Sequence, residues 1–94
     1  MSRHSRIVDV LTQAFVPQHL EVEDDSARHA GHAGAGPRGE THFNVSMAAA
    51  AFEGMSRVAR SRAVNEALAG EFEGGLHALS LTLRAPSELA AERD

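Results

Sequence analysis

The feature that most constrains this chain is the stretch from Ser26 to Gly39. It carries Gly31, Gly34, Gly36, Gly39 and Pro37 and shows no hydrophobic period. No helix or strand runs through a segment with that turn chemistry, so it is a loop. The whole chain has 94 residues, the size of one domain. Such a chain buries only roughly 60–65% of the surface its unfolded form exposes. The segments on either side of the loop must therefore share one modest core. Hairpin loops ordinarily take ~2–5 residues, so this loop is either functional or merely mobile.

Before the loop, Ile7, Val10, Leu11 and Ala14 recur at i, i+3, i+4 and i+7, the stripe of an amphipathic helix. Ser2 is placed to cap it and Pro17 to end it. Arg3 and Arg6 oppose the helix dipole at a small cost. His19 to Asp24 alternates polar and apolar, a half-buried strand with Leu20 and Val22 inward. After the loop, Thr41 to Met47 alternates again. Thr41, Phe43, Val45 and Met47 share one face, and His42, Asn44 and Ser46 the other. The two strands are consecutive and expected to be antiparallel. Ala48 to Gly54 either extends the strand or starts a turn.

Met55 to Glu73 is helical in pattern, with Ser56 as a cap and Val64, Ala67, Leu68 and Phe72 as the apolar stripe. Val58 is half a turn out of phase, which predicts a break near Arg60-Ser61 with Ser61 capping a second helix. Gly74-Gly75 stops it. Leu76 to Leu83 is the last strand, with His77, Leu79, Leu81 and Leu83 expected on one face. A strand, a helical crossover and a strand favour parallel pairing with right-handed connection. Pro86-Ser87-Glu88 can open a short C-terminal helix. The predicted architecture is α+β: a two-layer αββααβ sandwich with a three-stranded mixed sheet and its helices on one face. Residues 1–94 form a single domain, with 1–5 and 86–94 expected as flexible ends. There is no internal repeat.

Composition narrows the chemistry. Cysteine is absent, so the chain has no disulfide, thiolate nucleophile or thiolate ligand. A metal would need His or carboxylate ligands, or ligands from a partner. All nine basic residues are Arg; Asp and Glu total 13, for a formal charge of −4. That balance argues against strong non-specific nucleic-acid binding. No apolar run reaches 18 residues, and Asp9 interrupts the only N-terminal apolar segment, so a cytoplasmic protein is expected. No enzyme constellation is present: G-x-S-x-G and G-K-[ST] are both missing.

Two sets of residues remain. Six histidines are many for this length. His29 and His32 lie in the glycine-rich loop, and His77 follows Gly74-Gly75 at the mouth of the last strand. Neutral imidazole is a good ligand for Zn, Fe and Cu. A glycine-rich loop can bring His29 or His32 toward a fixed His77. The bland readings are a solvated loop histidine and a hydrogen-bonded His77 at the core edge. His42 reads as structural or solvated, His19 as packing near its strand's start, and His4 as uninformative. The second set is Arg57, Arg60 and Arg62, which could meet phosphates near a helix start. Glu53, Glu66, Glu71 and Glu73 surround them, and Arg62 with Glu66 has i, i+4 spacing. A solvated charged face is the bland alternative.

Leu20-Glu21-Val22 leading into Asp25-Ser26-Ala27-Arg28-His29, then Gly39-Glu40-Thr41-His42-Phe43, Arg60-Ser61-Arg62-Ala63-Val64 and Leu76-His77-Ala78-Leu79-Ser80-Leu81 occur in this order. Together they resemble the BolA family, from Ile7 to about Pro86. The resemblance implies a fold like the class II KH domain, although G-x-x-G is absent between the central helices. It implies a monothiol glutaredoxin partner and a shared [2Fe–2S] cluster, in Fe–S trafficking or iron-linked regulation. Glutaredoxin cysteine and glutathione would supply sulfur and the BolA-like chain histidine. The family ligand at the start of the last strand matches His77. The loop ligand matches His29, with His32 a nearby substitute. No cofactor is expected in the isolated chain, since a chain without Cys does not hold such a cluster alone. BolA-like proteins are also described as transcriptional regulators; the DNA-contact region would match Arg57 to Val64, with Ser61 where many members carry His. Weak DNA binding and a homodimer through an uncovered sheet edge stay open, and no membrane association is expected.

Overall fold

The computed structural model describes residues 2–25 and 41–92; the expected loop, with His29 and His32, lies outside them. The first helix, α1 (Arg3–Phe15), begins at Ser2, whose Oγ accepts the Ser5 N–H at 3.1 Å. Ile7 and Leu11 are fully buried, and Val10 and Phe15 pack beside them. Ala14, expected on this stripe, is exposed instead. Phe15 takes the inward place, its ring 5.2 Å from that of Phe52. A large ring wins over a methyl because it removes far more apolar area from water.

The sheet order is β1-β2-β3, from β1 (His19–Asp24), β2 (His42–Ala48) and β3 (Ala78–Arg84). β1 pairs antiparallel with β2, Val22 opposite Val45; β3 pairs parallel with β2, Leu81 opposite Val45. Central β2 shows the clearest alternation: Phe43, Val45 and Met47 are buried while His42, Asn44 and Ser46 are half-buried. Ala48 extends β2, and a 3-10 turn at Ala50–Phe52 then drives Phe52 into the core. That resolves the stretch whose pattern allowed either outcome.

Ser56 caps α2 (Arg57–Ala67), its Oγ accepting the Ala59 N–H at 3.1 Å. The expected break at Arg60-Ser61 is not there. The helix runs through it and is interrupted at Leu68, after which α3 (Ala69–Glu73) begins. Val58 is out of phase because it faces solvent, 60% exposed, and a single exposed apolar residue needs no break to explain it. Gly70, just past Leu68, weakens continuation of a straight helix. The final helix, α4 (Pro86–Glu92), occupies most of the expected C-terminal flexible end.

The interruption has a use. It brings Glu71 of α3 to the start of α1, where its carboxylate takes the Arg3 Nε at 3.1 Å and the Arg6 Nε at 2.8 Å. Arg3 Nη2 also donates to the Gly74 carbonyl at 2.7 Å. The two arginines, expected only to oppose the α1 dipole, thus clamp α1 to α3. The Arg6 hydrogen bond, aided by Arg3 and opposed by burial, holds the Glu71 carboxyl below its ordinary value of 4.5.

Two predictions follow from this packing. Leu68→Ala, fully inside the core, is expected to cost about 2–5 kcal/mol, whereas Val58→Ala stays within about 0.5 kcal/mol; urea unfolding measures both. Because the folded Glu71 pKa is lowered, its stabilisation is complete above the ordinary carboxylate value and is lost as pH falls through the folded value. Wild-type protein should therefore lose more stability than Glu71→Gln between about pH 5 and about pH 3, read from unfolding curves at each pH.

Candidate metal-ligand site at the histidine end of the sheet

Antiparallel β1–β2 and parallel β2–β3 pairing put the C-terminus of β1 and the N-termini of β2 and β3 at one end of the sheet. The backbone closes that end. The Asp25 N–H donates to the His42 carbonyl at 2.8 Å, and the His77 and Ala78 N–H groups both donate to the Thr41 carbonyl, at 2.8 and 3.1 Å. Of the residues that border the glycine-rich stretch, residue 41 therefore sits beside His77, and residue 25 sits beside His42 on the other side of β2.

Local geometry sets His77 there. Gly75 has φ +117°, a conformation that favours glycine, and it turns the chain out of α3 toward β3. Leu76 then anchors in the core, 4% exposed, and His77 is left exposed. The sequence placed His77 on the leucine face. The structure corrects this: His77 precedes Ala78, the first residue of β3, and its ring lies against that of His42, centroids 5.9 Å apart and planes within 10°. His42 belongs with Asn44 and Ser46 on the half-buried face of β2. A hydrogen bond of 3.0 Å joins its Nδ1 to the buried Thr41 Oγ1. Among the described residues, the His77 ring nitrogens have no hydrogen-bond partner.

Reasoning from the sequence missed the His42–His77 pair. Its signal was available in the parallel register, where His42 stands opposite Ala78, next to His77. No group of three or more His, Asp or Glu that could hold a metal occurs among the described residues. His29 and His32 lie outside the described residues. The other histidines are elsewhere: His4 Nε2 lies 2.7 Å from the Val22 carbonyl oxygen, tying α1 to β1, and exposed His19 lies 3.6 Å from Glu21.

The three arginines divide. Arg57 and Arg62 are exposed and have no side-chain partner among the described residues; Arg62 does not pair with Glu66. Arg60 is buried, 6% exposed. Its Nε donates to the Met55 carbonyl at 3.0 Å and its Nη1 to the Leu83 carbonyl at 3.3 Å and Glu88 Oε1 at 2.6 Å. The guanidinium also stands 5.9 Å from the Phe52 ring centre. The Arg60 hydrogen bond, with a second from the Ala85 N–H, holds the Glu88 carboxyl below its ordinary value. A guanidinium enclosed and neutralised in this way is not presented to a phosphate, so the surface expected to carry three cations carries Arg57 and Arg62. No helix among the described residues is long and apolar enough to cross a membrane.

Comparison with known proteins agrees with the sequence resemblance. The sequence pattern of the BolA-like protein family matches residues 11–88. The chain is 46% identical over 92 residues to SufE-like protein 1, chloroplastic/mitochondrial, of Arabidopsis thaliana, covering 94% of this chain and 25% of that protein. It is 46% identical over 89 residues to an uncharacterized protein in the cobS 5' region of a Sinorhizobium species, covering 94% of this chain and 96% of that one. Among solved structures, the BolA domain of Arabidopsis SufE1 superposes with a TM-score of 0.85 at 44% identity, covering 94% of this chain and 96% of that chain. The chain thus spans a quarter of the plant protein and nearly all of the bacterial relative. None of these names is that of an enzyme. With the family pattern matched over most of its length and the same three-stranded α+β architecture, the chain belongs to the BolA-like family.

Proposed function

We propose that this BolA-like chain is a cytoplasmic binding protein that docks with a monothiol glutaredoxin and shares a [2Fe–2S] cluster with it. His77 and a histidine of the glycine-rich stretch, His29 or His32, are its ligands. The observation that carries this reading is the exposed His77 ring, whose nitrogens have no hydrogen-bond partner among the described residues, at the sheet end that residues 25 and 41 share. Covalent reach allows the second ligand: His29 is four positions past Asp25, no more than about 14 Å along an extended chain.

The donor set fits the group. The chain has no Cys, and such clusters normally need thiolates, so the sulfur ligands come from a partner; the family resemblance implies the glutaredoxin cysteine and glutathione. Held by these histidines, the cluster would supply a one-electron centre of raised potential. This chain's residues contribute positioning. Buried Leu76 anchors the turn, Thr41 accepts the His77 and Ala78 amides, and the His42 ring backs that of His77. The rival reading, a DNA-binding regulator, rests on Arg57 and Arg62 once Arg60 is spent inside the fold.

Titrating a reconstituted [2Fe–2S] monothiol glutaredoxin with this protein should give a saturable change in visible absorption and circular dichroism. His77→Ala should abolish that change while altering stability by no more than about 0.5 kcal/mol, as befits an exposed residue. Of His29→Ala and His32→Ala, one should weaken the complex by about tenfold or more. An unchanged spectrum with His77→Ala sinks the ligand assignment. DNA affinity that falls with salt by a log–log slope of about −0.9 per phosphate, and that Arg57→Ala with Arg62→Ala removes, favours the rival.

A further inference from the structure

We propose that the outer edge of β3, together with the groove between β3 and α2, is a docking site for an extended acidic peptide that adds as a fourth strand. Its groove lies apart from the histidine end: it begins at Leu81, three residues and about 10 Å along the strand from Ala78.

β3 is an edge strand, and its hydrogen bonds show which groups are unspent. The Ala78 N–H donates to the Thr41 carbonyl, and the Arg84 carbonyl accepts the Ala49 N–H. In a parallel ladder alternate residues turn both backbone groups to the same side. Ala78, Ser80, Thr82 and Arg84 therefore face β2, while Leu79, Leu81 and Leu83 face outward. Of the outward groups, only the Leu83 carbonyl has a partner among the described residues, the Arg60 guanidinium at 3.3 Å. Edge strands are normally blunted by Pro, Lys, bulges or a covering segment. β3, of sequence ALSLTLR, has no Pro or Lys and keeps an uninterrupted register with β2. The opposite edge is defended: His4 of α1 takes the outward Val22 carbonyl of β1, and β1 carries Glu21, Glu23 and Asp24.

The groove beside this edge, about 240 Å³, is lined by Arg57, Arg60 and Ser61 of α2 and by β3 from Leu81 to Arg84, with no acidic residue among the described residues that line it. Arg60 is neutralised by Glu88; Arg57 has no ion-pair partner among the described residues. Strand addition supplies main-chain hydrogen bonds, and alternate side chains of the added strand enter a flanking groove. Leu81 and Leu83 wall that groove and Arg57 gives it a cation, which fits a peptide whose groove-facing alternate set carries carboxylates. A second copy joining through its own β3 would bring the like charges of two Arg57 side chains to the junction.

The probe is a synthetic peptide, Asp-Val-Asp-Val-Asp-Val-Asp, titrated into the full chain by NMR. Binding should be saturable, protect the Leu79, Leu81 and Leu83 amides from exchange, and weaken about tenfold or more in Arg57→Glu, a substitution at an exposed position that leaves the fold intact. Two further probes carry N-methyl groups on one or the other alternate set of amides. One should lose binding and the other keep it, since only one edge of an added strand faces β3. Equal binding of both N-methylated peptides, no binding of the parent peptide, or sedimentation showing a dimer that protects the same amides without peptide would each overturn the proposal.

Discussion

The central strand β2 is the constraint on which the rest of the structure depends. Phe43, Val45 and Met47 lie at the bottom of the core, and both edges of the strand are spent, on β1 one way and β3 the other. A one-residue slip would turn those three side chains out to solvent, so burial locks the register. With the register locked, residues 25, 41, 42 and 77 have no choice but to meet at one end of the sheet. The candidate ligand site is thus a consequence of strand pairing rather than of any local motif.

Around that strand, two arginine–carboxylate clusters fix how the helices lie. Arg3 and Arg6 hold Glu71 and so join the first helix to the short third one. Arg60 gathers the turn before α2, the end of β3 and the start of α4 through Met55, Leu83 and Glu88. Partly buried pairs of this kind repay their desolvation only when each donor and acceptor is matched. Here no buried side-chain nitrogen or oxygen lacks a partner among the described residues. Their value lies in orientation: planar guanidinium groups accept few geometries, and each cluster spans at least two elements.

Much of the fold was legible. Strict alternation marked β1 and β2, and Ser2 and Ser56 stood where helices start and cap them as expected. Parallel pairing followed from a helical crossover between strands. Where the reading failed, local pattern competed with packing. Ala14 lost the inward position to Phe15 because the larger ring fills more of the core. Val58 suggested a break because an exposed valine has the same signature as a face change. His77 left the leucine face because the strand starts one residue later than alternation implied, after Leu76 has taken the buried place.

The candidate site was half legible. The sequence singled out His77 as a residue following a glycine turn, yet the stacked partner His42 was set aside as structural or solvated. Arg60 looked like a surface cation because nothing near it in the chain announces Glu88. Alternation and helical spacing are local properties, set by where successive side chains point, and the sequence alone determined the elements and their order. Contacts joining residues 28, 65 or 68 positions apart depend on how those elements stack. Tertiary structure alone therefore decided which arginine is buried, which histidines share an end of the sheet and which strand edge is left unpaired among the described residues.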